Sequence, residues 1–88
     1  MDNQIIKVSA HSSASASAGA IAALIREKGE AEVRVVGAGA LNQAVKAAIL
    51  ARGYLAPEGI EIVIVPSFAS TTINGDERTA IRLEIQTR

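Results

Sequence analysis

The chain has 88 residues, 49% of them hydrophobic, and its nine Lys and Arg balance nine Asp and Glu, so the net charge is zero. This size and composition predict a single small globular domain over residues 1–88, and neutrality excludes any global electrostatic argument for nucleic-acid binding. The sequence contains no cysteine, which excludes disulfides and thiolate metal sites, and no apolar run near the ~20 residues of a membrane-spanning helix. The start MDNQIIKV lacks the basic and long apolar regions of a secretory signal, so we expect a cytoplasmic protein without a membrane partner.

The first predicted unit is a strand followed by a helix. Residues 4–10 form a short β-type run, and the serine-rich loop after it supplies Ser13 or Ser15 as the cap of a helix. Apolar residues recur at helical spacing over residues 18–28, and Gly29 is the expected terminating glycine.

A second strand–helix unit follows, with a strand over residues 31–37 and a helix over 40–52 that Gly53 is expected to close. Two stripes run along this helix. One contains Leu41, Val45, Ala48 and Ile49, and the other contains the small residues Ala40, Ala44, Ala47 and Ala51.

The last part of the chain predicts a β-hairpin. Residues 60–73 read as a long strand, in which Pro66 indicates an edge position or a bulge. Asn74-Gly75 is a strong hairpin signal because a type I′ turn needs positive φ at both central residues. The returning strand alternates, with Ile81, Leu83 and Ile85 on one side and Arg82 and Glu84 on the other.

The predicted order is therefore β-α-β-α-β-β. Right-handed crossovers place both helices on the same side of the sheet. The fold class is α/β in the broad sense, an α+β two-layer sandwich with a mixed four-stranded sheet and two helices on one face. Apolar residues on the opposite face, such as Val36, Val63 and Val65, invite self-association.

The glycines of VVGAGALNQAVKAA bear on a possible nucleotide site. Gly37 and Gly39 match the first two positions of the dinucleotide fingerprint, but Asn42 occupies the third, where a small residue is needed. No acid clearly ends a second Rossmann strand, and no Walker motif is present. These glycines are therefore interpreted mainly as a tight strand-to-helix turn, whose free amides remain suited to a phosphate.

The remaining polar residues show no catalytic constellation. His11 is the sole histidine and has no metal-ligating partner at a suitable spacing, and the serines have no visible base to activate them. We expect no enzyme activity, no metal and no cofactor.

Long runs of the sequence resemble one family. KVSA followed by serines, GAGALNQAVKA, ARGYLAPEGIEI and ERTAIRL together look like the stage V sporulation protein S (SpoVS) family over nearly the whole chain. That family is similar in turn to the Alba superfamily of chromatin and RNA-binding proteins, with the same element order. The resemblance implies a dimer or higher homo-oligomer that binds DNA or RNA in developmental control, in the cytoplasm or at the nucleoid, with a regulatory protein as a further possible partner.

The resemblance also implies an interface, carried over by position onto the first strand, the two strand–helix turns and the hairpin. Its candidate residues are Lys7, His11, Ser12, Ser13, Gly37, Gly39, Asn42, Lys46, Arg78 and Arg82. Alba proteins typically have several Lys or Arg in the two turns, where this chain has Ser, Ala and Gly. Few cations release few counterions, so we expect weak, backbone-directed binding.

Three alternatives to this interface stay open. Arg78 and Arg82 can simply pair with carboxylates across the hairpin, and Lys46 can be a solvated helix residue. The chain can also be a protein-interaction module that docks a partner on the open sheet face or on the alanine-striped helix, with no nucleic acid involved. A small-ligand site between Gly37 and Asn42 ranks last.

Overall fold

A computed structural model describes residues 4–88 and confirms the predicted element order. The elements are β1 (Ile5–Lys7), α1 (Ala14–Lys28), β2 (Glu30–Val35), α2 (Ala38–Leu55), a 3₁₀ turn (Ala56–Glu58), β3 (Ile62–Ile73) and β4 (Asp76–Thr87).

The four strands form one mixed sheet in the order β1-β2-β4-β3. β1 is parallel to β2, and β4 is antiparallel to both β2 and β3. Pro66 lies in β3, which is an edge strand, so its missing N–H is compatible with the ladder to β4. The edge position predicted from this proline is confirmed.

Both helices cover one face of the sheet because the strands alternate between apolar and polar residues. Ala31, Val33 and Val35 of β2 are buried, whereas Glu32 and Arg34 between them point to the other face. The same alternation runs through β4, where Leu83 and Ile85 are buried and Arg82 and Glu84 face away. We call the face without helices the open face.

Helix α1 is longer than predicted at its amino end. Ser13 caps it, since its Oγ accepts a hydrogen bond from the Ala16 amide at 3.2 Å, and the helix begins at Ala14. The apolar periodicity did not reveal this first turn because it consists of Ala and Ser, which add no large apolar side chain to the pattern. Gly29 ends α1 in the left-handed conformation, as expected.

Helix α2 corrects two predictions. It continues past Gly53 to Leu55, because Leu55 is fully buried and holds the last turn against the core. The alanine stripe is buried and forms the tight contact with α1 and the sheet, so it is not a docking surface. The exposed side of α2 instead carries Val45 and Ile49 of the other stripe.

The β3–β4 hairpin extends beyond the rest of the sheet. β2 ends at Val35, which lies in one row with Ile81 and Phe68, and beyond this row β3 and β4 pair only with each other. Asn74 and Gly75 both have positive φ, 51° and 83°, as a type I′ turn requires.

Candidate nucleic-acid interface

Three of the predicted segments emerge at the same edge of the sheet. β1, β2 and β3 run in one direction, so the β1–α1 loop, the β2–α2 turn and the hairpin arm all follow carboxyl ends of strands on that side. We call this side, formed by residues 9–13, 36–42 and 69–80, the loop edge. Both helices begin at the loop edge, so their positive dipole ends face it.

The β1–α1 loop is held by its own serine hydroxyls. The Ser9 amide donates to Ser12 Oγ at 2.8 Å, and the His11 amide donates to Ser9 Oγ at 3.2 Å. With Ser13 capping α1, these contacts explain the serine-rich composition as loop stabilisation. His11 is exposed at the surface of this loop.

The β2–α2 turn presents a helix start without a side-chain cap. Gly37 has φ 95° and ψ 159°, a conformation that only glycine adopts without strain, and no side chain of residues 4–88 caps the helix there. The Leu41 amide bonds to the Gly37 carbonyl oxygen at 3.0 Å, while the three amides before it precede the first bonded turn. Such amides, with no acid in the first turn, suit an anion.

The two turns are joined to each other. Gln43 donates from Nε2 to the Ser12 carbonyl oxygen at 2.8 Å. A Cβ on Gly39 would lie 3.0 Å from the Cβ of Ala10, so Gly39 is explained by close packing between the turns. Sequence reasoning missed Gln43 because nothing in its local pattern reveals a partner 31 residues away.

The predicted cations do not all lie on one surface. Lys7 and Arg82 point to the open face, and Arg78 lies on the same side of β4 further out along the hairpin. Lys46 lies on the exposed side of α2, in the opposite layer, next to a shallow depression lined also by Ala14, Ile49 and Leu50. Asn42 is exposed in the first turns of α2 and is the last residue of this segment of the loop edge.

The cations also differ in their partners. Within the described part of the chain, Lys7, Lys46 and Arg78 make no hydrogen bond or ion pair. Arg82 donates from Nε to Ser67 Oγ at 3.2 Å and lies 3.9 Å from a carboxylate oxygen of Glu84. Arg82 therefore pairs with a carboxylate of its own strand rather than across the hairpin, and within residues 4–88 Arg78 pairs with none.

A family model described as stage V sporulation protein S (SpoVS) matches residues 4–88. The chain belongs to the SpoVS family. Among solved structures, it is similar to Alba from Thermoplasma volcanium, with 15% sequence identity, a TM-score of 0.61, and coverage of 96% of this chain and 98% of that chain. At this identity the likeness establishes the Alba-like fold of the SpoVS chain.

The description of the family supports a sporulation-related regulatory role. Among residues 4–88, no group of three or more His, Cys, Asp or Glu side chains is arranged to hold a metal ion. None of the helices described in that range is both long and apolar enough to cross a membrane.

Proposed function

We propose that this SpoVS-family chain is a non-enzymatic regulator of developmental or sporulation control that binds DNA or RNA as a homodimer in the cytoplasm. The observation that carries the proposal is the loop edge: two strand–helix turns without acidic residues and a projecting hairpin emerge together, beside the amino ends of both helices. Amides and dipoles placed in this way favour phosphate oxygens.

The proposed contacts are mainly with the sugar–phosphate backbone. The amides after Gly37 and the side chain of Asn42 offer neutral hydrogen bonds, and Arg78 on the hairpin offers a cation without an intramolecular partner. With one cationic phosphate contact per subunit, at Arg78, a dimer has a log–log salt slope of only about −1.8 on duplex DNA. Binding is then weak and independent of sequence.

Dimerisation is supported by the exposed side of α2. Val45, Ile49, Leu50 and Tyr54 are all exposed there, and Ile49 retains 64% of its accessible surface. Apolar side chains gathered on one helix side are typical of a contact surface. Two copies double the number of cations and of helix starts available to one polyanion.

Electrophoretic mobility of mixed DNA and RNA fragments at low and moderate salt tests the proposal. We expect a shift at low salt that Arg78→Ala weakens. The matched control is Arg52→Ala, which removes the same charge from the last turn of α2, where Arg52 pairs with Glu61 at 3.1 Å. Equal effects of both substitutions contradict a localised interface and indicate a general charge effect.

The same exposed side of α2 favours a second candidate, a protein-interaction module without nucleic acid. The mobility experiment separates the two functions. If neither DNA nor RNA shifts at micromolar protein and low salt, the interaction module replaces the nucleic-acid regulator.

A further inference from the structure

A row of three cations crosses the open face of the sheet. The strand register pairs Lys7 with Arg34 and Arg34 with Arg82, and residues paired in this way point to the same face. Strands lie about 4.8 Å apart, so this cation row spans roughly 10 Å, about the axial length of three nucleotides in one strand. Lys7 is the last residue of β1, so the row borders the loop edge.

A row of acids lies directly beside the cation row. Glu32 of β2 is paired with Glu84 of β4, two residues along each strand from Arg34 and Arg82. Like charges opposite each other destabilise a sheet, and each row here contains such a pair. The repulsion within each row is offset because the two rows are adjacent, so every arginine of the cation row has a carboxylate next to it.

The carboxylates hold the two arginines with different strength. Arg34 Nε lies 2.7 Å from Glu32 Oε2, and both side chains are largely covered, at 30% and 26% exposure. Arg82 lies 3.9 Å from Glu84 in a more open pair, and its Nε is bonded to Ser67. Lys7 has no partner in the described part of the chain. Phosphate access therefore decreases from Lys7 to Arg82 to Arg34.

We infer that the cation row is a second phosphate-binding surface, continuous with the loop edge, and that Glu32 and Glu84 mask it. This inference rests on the proposed function and extends its interface to Arg34, which no motif in the sequence indicated. Lys7 makes the first contact with a phosphodiester. Further contacts require phosphates to replace Glu84 as the partner of Arg82, and then Glu32 as the partner of Arg34. Because these carboxylates compete with phosphate, they weaken nucleic-acid binding by the folded chain.

Replacing the masking carboxylates with neutral amides tests the inference. Glu84→Gln and Glu32→Gln keep the side-chain shape and release one arginine each. Glu30→Gln is the matched control: Glu30 lies on the same strand and face as Glu32, gives the same change in net charge, and makes no ion pair within residues 4–88. The probe is a short DNA duplex. Its affinity is measured by fluorescence anisotropy at salt concentrations from about 0.05 to about 0.2 M, and the log–log salt slope is taken from these values.

One added phosphate contact steepens the log–log salt slope by about 0.9, so the affinity falls by roughly a further 3.5-fold between 0.05 and 0.2 M salt. We expect Glu84→Gln to approach these values, the double variant to exceed them, and Glu30→Gln to leave the slope unchanged. Adding Lys7→Ala to Glu84→Gln is expected to reverse part of the gain. Thermal melting of each variant verifies that it is folded.

The outcomes separate this inference from the proposed function. If the unaltered chain binds duplex and Glu84→Gln behaves like Glu30→Gln, the masking inference is overturned while the nucleic-acid function stands. If only the Glu32 and Glu84 variants bind, the masked surface is supported and binding of duplex DNA by the unaltered chain is contradicted. If no variant binds the duplex, the masking inference is overturned, and the mobility experiment with RNA decides whether the proposed function stands.

Discussion

Gln43 of α2 donates a hydrogen bond from Nε2 to the Ser12 carbonyl oxygen at 2.8 Å and so fixes the β2–α2 turn to the β1–α1 loop. The bond is partly buried, and it joins two segments that are distant in sequence. Because the candidate interface depends on the relative position of these turns, Gln43 acts as a positioning residue for the loop edge.

Gln43→Ala is expected to destabilise the fold and loosen the loop edge. Loss of this hydrogen bond costs about 1 kcal/mol, which lowers the Tm of a domain of this size by roughly 4–8 °C. Asn42→Ala is the control for stability. Asn42 is adjacent to Gln43, but its side chain is exposed and makes no hydrogen bond within residues 4–88. Thermal unfolding followed by circular dichroism measures both, and equal Tm values for the two variants contradict the role assigned to Gln43.

Gly53→Ala is expected to stabilise the protein. The residue lies inside α2, and a Cβ built there meets no atom within 4 Å. Alanine in an open helical position is worth about 0.5–1 kcal/mol over glycine. Gly37→Ala is the contrasting variant, since φ 95° makes alanine there cost about 1–3 kcal/mol despite similar open space. Denaturant unfolding distinguishes them, and a destabilised Gly53→Ala shows that α2 ends before Gly53.

Much of the fold follows from local patterns in the sequence. The alternation of Ile81, Leu83 and Ile85 with Arg82 and Glu84, and the Asn74-Gly75 turn, correspond directly to β4 and the hairpin. These features were predictable because strand period and turn geometry depend on residues that are adjacent in the chain.

The end of α2 and the cation row were not predictable in the same way. Gly53 resembles Gly29 in its local setting, yet burial of Leu55 extends the helix past it. The juxtaposition of Lys7, Arg34 and Arg82 depends on strand register, which combines residues up to 75 positions apart and has no local signal.

The Arg26–Glu58 pair predicts a specific pH dependence. Arg26 Nε donates to both carboxylate oxygens of Glu58, and this hydrogen bonding is the main cause that lowers the pKa of Glu58 from its usual value. A lowered carboxyl pKa contributes stability above the pKa of the unfolded chain, about 4.3, which is lost as the pH falls through the folded value.

An NMR titration of the Glu58 carboxyl carbon measures this effect. We expect Arg26→Gln to raise the pKa of Glu58 towards its unfolded value. Arg52→Gln is the matched control, because Arg52 pairs with Glu61 instead. An unchanged pKa of Glu58 in Arg26→Gln contradicts the assigned cause.

The exposed side of α2 predicts the effect of a charge on self-association. Ile49→Lys places an ammonium group in the middle of the proposed copy–copy contact, and since Ile49 is 64% exposed the fold should tolerate it. We expect light scattering to give twice 9.1 kDa for the unaltered chain and 9.1 kDa for Ile49→Lys. Lys28→Gln, a substitution at an exposed position at the carboxyl end of α1, serves as the control. A dimer that persists in Ile49→Lys rules out this side of α2 as the contact.

The most direct test of the nucleic-acid interface is a residue-resolved NMR titration of backbone amides with a short DNA or RNA fragment at low salt. The loop edge predicts the largest shifts at residues 9–13, 36–42 and 69–80, with little change at the 3₁₀ turn (Ala56–Glu58), which follows the carboxyl end of α2. Shifts centred on that turn, or no shifts with either nucleic acid, would contradict the account.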